Sequence, residues 1–95
     1  MKIPVISTEN FILYLEQDNG YLFIHCDVLN TWTKRIKQQL SNSFKELTDL
    51  YAQPLYALHT KTDKKHEKFL KMFNFSYLQT IVGLDNNEYD IYVWR

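Results

Sequence analysis

The 95-residue sequence has one cysteine, two glycines and two prolines, and its eleven basic residues are matched by eleven acidic ones. A single cysteine excludes an internal disulfide framework and any cysteine-rich zinc site. The even charge balance removes the global attraction to nucleic acid or an anionic membrane that a strongly basic chain would have. No apolar run approaches the ~18 residues that a membrane-spanning helix needs, so no membrane partner is expected. The opening segment, Met1 to Asn10, carries one lysine and no apolar stretch long enough for a secretory signal. That predicts an intracellular protein, or one inside a particle assembled in the cell. There is no repeat, biased tract or glycine- and proline-rich linker to divide the chain. Residues 1–95 are therefore expected to form one domain, of a size that buries about 65% of its unfolded surface.

What the sequence does have is aromatic side chains, 16% of the total, with seven tyrosines and six phenylalanines. Ile3 to Ile6 reads as a short strand. Phe11 to Glu16 alternates Phe11, Leu13 and Leu15 against Ile12, Tyr14 and Glu16, and the Asn19-Gly20 pair that follows is a hairpin signal. Tyr21 to Val28 has two usable faces, Leu22, Ile24, Cys26 and Val28 on one and Tyr21, Phe23 and His25 on the other. With both faces largely apolar, this strand is expected to be central and covered on both sides.

Helical periodicity begins after Val28. Asn30 or Thr31 is a candidate cap, and Trp32, Ile36, Leu40, Phe44, Leu47 and Tyr51 form one apolar stripe at spacings of three and four. Pro54 stops the pattern. Leu55 to Leu58 reads as a strand, and Thr62 or Asp63 caps a second helix with the stripe His66, Phe69, Leu70 and Phe73. Phe75 to Leu84 and Glu88 to Trp94 then flank Asp85-Asn86-Asn87 as a closing hairpin. The order β-β-β-α-β-α-β-β predicts an α+β fold: a mixed sheet of five to six strands, two of them joined in parallel by a crossover helix, with two helices packed on it.

This order resembles the core of the GNAT fold of N-acetyltransferases, lacking its usual first strand and first two helices. The strand Leu22 to Val28 leads directly into the long helix, where that family places its coenzyme A site. The segment Asp63-Lys64-Lys65-His66-Glu67-Lys68-Phe69-Leu70-Lys71-Met72-Phe73-Asn74-Phe75 resembles the family's fourth-helix signature, with Asp63 for its Asn, Asn74 for its Gly and Phe75 for its Phe. More narrowly, the chain is similar to small GNAT-like proteins encoded among virion and tail-assembly genes of short-tailed bacteriophages. Those share a Lys/Arg-rich start to the long helix, here Thr33-Lys34-Arg35-Ile36-Lys37, and a His66-Glu67-Lys68-Phe69-Leu70-Lys71 type of signature. The likeness spans about residues 21–94.

The resemblance also says what an enzyme would need. Family members bind the pyrophosphate of acetyl-CoA on backbone N–H groups at the start of the long helix, through a loop whose glycines let the phosphates approach. Aligning Leu40 with the family's leucine puts Trp32, Arg35 and Lys37 at the motif positions, with neither glycine present. The family's usual general acid is a tyrosine seven residues after the Asn, and Leu70 stands there, unable to donate a proton. Tyr77 and Tyr56 are the alternative acids. No catalytic residue is therefore assigned, and no cofactor is expected. Only under the alternative reading, a diverged N-acetyltransferase, would Arg35 and Lys37 grip coenzyme A.

Among the other chemistry-bearing residues, His25 and Cys26 are strand neighbours and point to opposite faces, which leaves Cys26 a small apolar packing group. His25, His59 and His66 lack metal-type spacing, so no metal is expected, and His66 reads as a helix-packing residue. Trp32 reads as core, with a rim aromatic at the former cofactor cleft as the alternative. Lys64, Lys65, Lys68 and Lys71 suggest a solvated helix face compensated by Asp63 and Glu67 rather than a nucleic-acid surface. Either Tyr92 and Trp94 or Tyr89, Ile91 and Val93 must face away from the helices, and an exposed Tyr/Trp set suits a protein contact. The expected function is a non-catalytic protein-binding domain of a phage virion or tail assembly, using Tyr92, Trp94, Lys64 and Lys68. Virion or tail proteins are its partners, a homo-oligomer is open, and a host-directed inhibitor or nucleic-acid binder is a third reading.

Overall fold

The computed structural model describes residues 1–95. Its elements are β1 (Ile3–Ser7), β2 (Phe11–Asp18), β3 (Tyr21–Val28), α1 (Lys34–Tyr51), β4 (Leu55–His59), α2 (Lys64–Met72), β5 (Ser76–Val82) and β6 (Glu88–Trp94). The order is the expected one, and the six strands form one mixed sheet in the spatial order β1-β2-β3-β4-β6-β5. All neighbours are antiparallel except β3 and β4, which are parallel and register at the single pair Phe23 and Tyr56.

Local chemistry explains the ends of these elements. Asn19 (φ 50°) and Gly20 (φ 82°) both take the left-handed region that a two-residue hairpin requires. Thr33, not Asn30 or Thr31, caps α1, its hydroxyl accepting from the Ile36 amide at 3.2 Å. That shortens the expected stripe, leaving Trp32 ahead of the helix. Asp63 caps α2 by accepting from the His66 amide at 3.1 Å. The end of α2 is a Schellman motif, with the Phe75 amide donating to Leu70 and the Asn74 amide to Lys71. Asn74 is left-handed (φ 62°), the position for which glycine or asparagine is suited.

Both crossovers step in the same direction across the sheet, β3 to β4 through α1 and β4 to β5 through α2. Right-handed crossovers then place both helices on one face. Ring contacts between them follow: Phe44 of α1 lies 6.4 Å from Phe69 of α2 and 5.2 Å from Phe73, the C-cap of α2, edge to face. Beneath them Phe11, Leu13, Leu15, Leu22, Ile24, Leu55 and Ala57 complete a 14-residue core.

The other face has no helix. β3 is central, as its sequence implied, but it is not covered by a second layer of structure. Its outer side chains are covered by other side chains of the same face. Tyr21, Phe23 and Tyr56 pack as a cluster, the two tyrosine rings 4.7 Å apart and edge to face. The Tyr21 hydroxyl accepts from the Gln79 side chain at 3.3 Å, although β4 and β6 lie between their strands. Such a bond requires the sheet to curl toward this side. Under this tyrosine roof Phe23, Ile91 and Val93 are buried, outside the main core.

Candidate functional site

Two regions carry polar groups in positions that packing alone does not require. The first is a cleft of about 430 Å³ where β3 and β4 part beyond their one registered pair. Cys26, His25 and Asp27 line it from β3, Leu58 from β4, and His66 and Lys65 from the first turn of α2. The second region is the tyrosine-roofed face of the sheet.

In the cleft, Cys26 is held as a thiol. Burial, reinforced by the Asp27 carboxylate next to it, pushes it up to about 12, so it supplies no thiolate near neutrality. His25 does not activate it. As the strand's alternation requires, His25 turns to the open face, where its Nε2 lies 3.0 Å from Glu16. That hydrogen bond is the main reason the Glu16 carboxyl sits below its ordinary range.

His66 forms the cleft wall and makes a contact that its sequence spacing did not reveal. Its Nδ1 lies 3.0 Å from Nδ1 of His59, the last residue of β4, which is only 1% exposed. Two facing Nδ1 atoms bond only if one carries the proton and donates while the other accepts. Burial, and then the neighbouring His59, lower the pKa of His66; Asp63 acts in the opposite sense. The contact has room for one proton between the two Nδ1 atoms, and His66 resists taking up charge. A seven-residue separation that crosses a strand end, a turn and a helix start is not a metal or helix-face spacing, so only the fold could bring these rings together. No group of three or more His, Cys, Asp or Glu side chains converges as metal ligands would.

His59 and Asp90 are the two buried polar residues, and they are cross-strand partners on β4 and β6. Asp90 accepts from the Thr80 hydroxyl at 2.7 Å, which is bonded at 2.8 Å to the hydroxyl of Tyr77, and Lys61 stands 3.6 Å away. This chain of hydrogen bonds satisfies the carboxylate.

The start of α1 does not fit the diphosphate of coenzyme A. A polar hollow lies there, lined by Asn10, Asn30, Thr33, Arg35 and Gln39. Its groups are already bonded to one another, Asn10 to Gln39 at 3.3 Å and Asn30 to Asn10 at 3.0 Å. The Thr33 hydroxyl occupies the Ile36 amide, one of those a phosphate would use. Arg35 faces this hollow and Lys37 does not, because residues two apart on a helix point about 200° from each other. The two cations do not converge on one anion. At the position of the family's acid, Leu70 is fully buried in the core. Neither alternative tyrosine reaches the cleft: Tyr56 lies in the roof and Tyr77 is 56% exposed beside Thr80.

The expected protein-binding residues are dispersed. Tyr92 and Trp94 face the helices and pack against the core, Tyr92 edge-on to His59 and Trp94 6.1 Å from Phe44. Tyr89, Ile91 and Val93 are the set on the open face. The alternation was legible, but its phase depended on the pairing of β6 with β4. Lys64 and Lys68 are exposed on α2, with no carboxylate within 4.0 Å; the helix pair is instead Glu67 with Lys71 at 3.0 Å. Trp32 is corrected from core to rim: it is 37% exposed and leans edge-on against Phe69 and Phe73.

The open face is the surface that sequence reasoning missed. It carries Tyr14, Tyr21, Tyr56, Leu58, Ile81 and Tyr89, with Glu16 and Asp27 among them. A dimple of about 200 Å³ opens between Tyr21, Phe23, Leu58, Gln79, Ile81 and Ile91, and Glu16 and Asp18 also border it. No helix is long and apolar enough to cross a membrane. In comparisons with known proteins, the chain matches no family model, no curated protein and no solved structure.

Proposed function

We propose that this chain is a non-catalytic, GNAT-like protein-binding domain, a component of a bacteriophage virion or of its tail assembly, and that it binds through the uncovered face of its sheet. One observation carries the reading: an ordinary two-layer domain buries one sheet face and presents polar groups on the other, whereas here the second face is aromatic. Tyrosine suits an interface because its ring supplies apolar area at little entropic cost while its hydroxyl stays wet. Glu16 and Asp18 at the border favour a partner with basic groups around an apolar centre. The phage setting and the GNAT likeness rest on the resemblance of element order and of the segment Asp63 to Phe75.

The absence of catalysis is supported by the buried Leu70, the protonated Cys26 and the blocked start of α1. The cleft between β3 and β4 favours a second reading, a diverged acetyl-CoA-dependent N-acetyltransferase. Calorimetric titration with acetyl-CoA separates the two. No heat from folded protein removes the enzyme; saturable binding that survives moderate salt and is lost in Arg35→Ala restores it.

The binding reading is tested on particles. The protein is expected to co-fractionate stoichiometrically with virions or tail intermediates, and the double variant Tyr21→Ala, Tyr56→Ala to fold but not to co-fractionate. Absence from virions and intermediates would sink the virion role. Unchanged incorporation of the double variant would sink the choice of surface.

A further inference from the structure

The sheet ends in two edges that are built differently. β1 is blunted: Pro4 has no N–H to offer a neighbour, and the register with β2 shifts between Pro4 and Ile6. β5 has neither charge nor proline. No charged residue occurs from Asn74 to Leu84, and every β5 residue except Ile81 is exposed. Tyr77 is 56% and Val82 66% exposed, and Leu84 beyond them is fully so. The register shift in β5 lies between Tyr77 and Gln79, which leaves Gln79 to Val82 in unbroken register with β6. The Gly83 amide donates to the Asn87 carbonyl across the hairpin. Ladder alternation then turns the main-chain groups of Ile81 and Gln79 toward β6 and those of Thr80 and Val82 outward, unpaired.

Charge gives this edge a direction. β5 follows α2, whose exposed face carries Lys64, Lys65, Lys68 and Lys71 against Glu67, paired with Lys71 at 3.0 Å. It finishes at the turn that carries Asp85, followed by Glu88 at the start of β6, which Lys61 approaches to 3.7 Å, so the two ends keep opposite net charge. An antiparallel neighbour of the same sequence sets each basic end against an acidic one; a parallel neighbour sets like against like. Nothing between the ends repels, because the strand is uncharged.

We infer that two copies of this chain pair antiparallel along β5, joining two six-stranded sheets into one across a two-fold axis. The assembly closes at two, because each copy has one open edge and the blunted β1 cannot extend the sheet. An axis perpendicular to the sheet keeps both tyrosine-roofed faces on the same side and doubles that surface. This pairing stands on the edge strand alone and does not depend on the function proposed above.

Sedimentation equilibrium of the full chain, from micromolar to hundreds of micromolar at low salt, tests it. The expected mass is that of two chains. Val82→Pro deletes an outward N–H and no internal ladder bond, and is expected to weaken the dimer about tenfold or more, which is a loss of about 1.4 kcal/mol. If that variant does not fold, Val82→Lys gives the same reading. The direction is tested by charge: Lys68→Glu and Glu88→Lys are each expected to weaken self-pairing, and an equimolar mixture of the two to form a mixed dimer tighter than either alone. A monomer at every concentration, or a dimer indifferent to both Val82 variants, overturns the inference. A dimer broken by those variants that shows no preference for the mixed pair overturns its antiparallel direction.

Discussion

The two faces of one sheet are solved by different means. On the helix side, Leu, Ile, Phe and Ala from three strands meet two helices and form the 14-residue core. On the other side, three buried residues, Phe23, Ile91 and Val93, are sheltered by tyrosines and a glutamine reaching across the curl of the sheet. The first arrangement excludes water with whole elements and commits those side chains to folding. The second excludes it with side chains whose hydroxyls remain at the surface, and so leaves an aromatic layer available to another molecule. Both look alike along a single strand, since Tyr21 to Val28 is apolar on either phase.

The comparison is broken most severely from the helix side. Phe44 is 1% exposed and meets Phe69, Phe73, Phe75 and Trp94. Phe44→Ala removes a ring shared by both helices and the sheet, and is expected to cost about 3–5 kcal/mol in urea unfolding. A loss under about 1 kcal/mol would mean that α1 and α2 are held by something other than this shared ring.

Acid is the next perturbation, and it also acts on the helix side. The pKa of His66 is lower in the folded chain than in the unfolded one, where it titrates near about 6.5. The unfolded chain then binds more protons, so stability falls as pH drops through about 6.5 and continues to fall until His66 is protonated in the folded chain. Glu16, Glu67 and Asp85 have lowered values. Their contribution is lost as pH falls through the ordinary carboxylate range and below it, so the two windows separate. Unfolding midpoints measured between pH 7.5 and 5 are expected to decline, and His66→Gln to flatten that limb while leaving the more acidic one. A flat profile in the wild type would show that the His59–His66 contact does not control the attachment of α2.

Much of the fold was legible because it is written locally. The Asn19-Gly20 turn, the stripe Ile36, Leu40, Phe44 and Leu47, and the cap at Asp63 each follow from a few adjacent residues. The phase of β6, the bare face of β3 and the exposure of Trp32 were not legible, because each depends on where a distant element comes to lie. The candidate site divides in the same way. Cys26 as a packing thiol and Leu70 as a blocked acid position could be read from strand alternation and from the motif. The His59–His66 pair and the tyrosine roof exist only after β4 has joined β3 and the sheet has curled.

The smallest expected effect sharpens the comparison most. Tyr21→Phe keeps the ring over Phe23 and Tyr56 and removes only the hydroxyl that accepts from Gln79. The bond is long and exposed, and both partners can turn to water, so stability is expected to change by less than about 0.5 kcal/mol. A hydroxyl with so little to do in folding is free to meet a partner, and the variant should therefore weaken incorporation into particles more than it weakens the fold. Were stability instead to fall by more than about 1 kcal/mol, the Tyr21–Gln79 bond would be what holds the curl of the sheet. The roof would then be part of the fold's own closure, and the binding surface would have to be sought at the β5 edge alone.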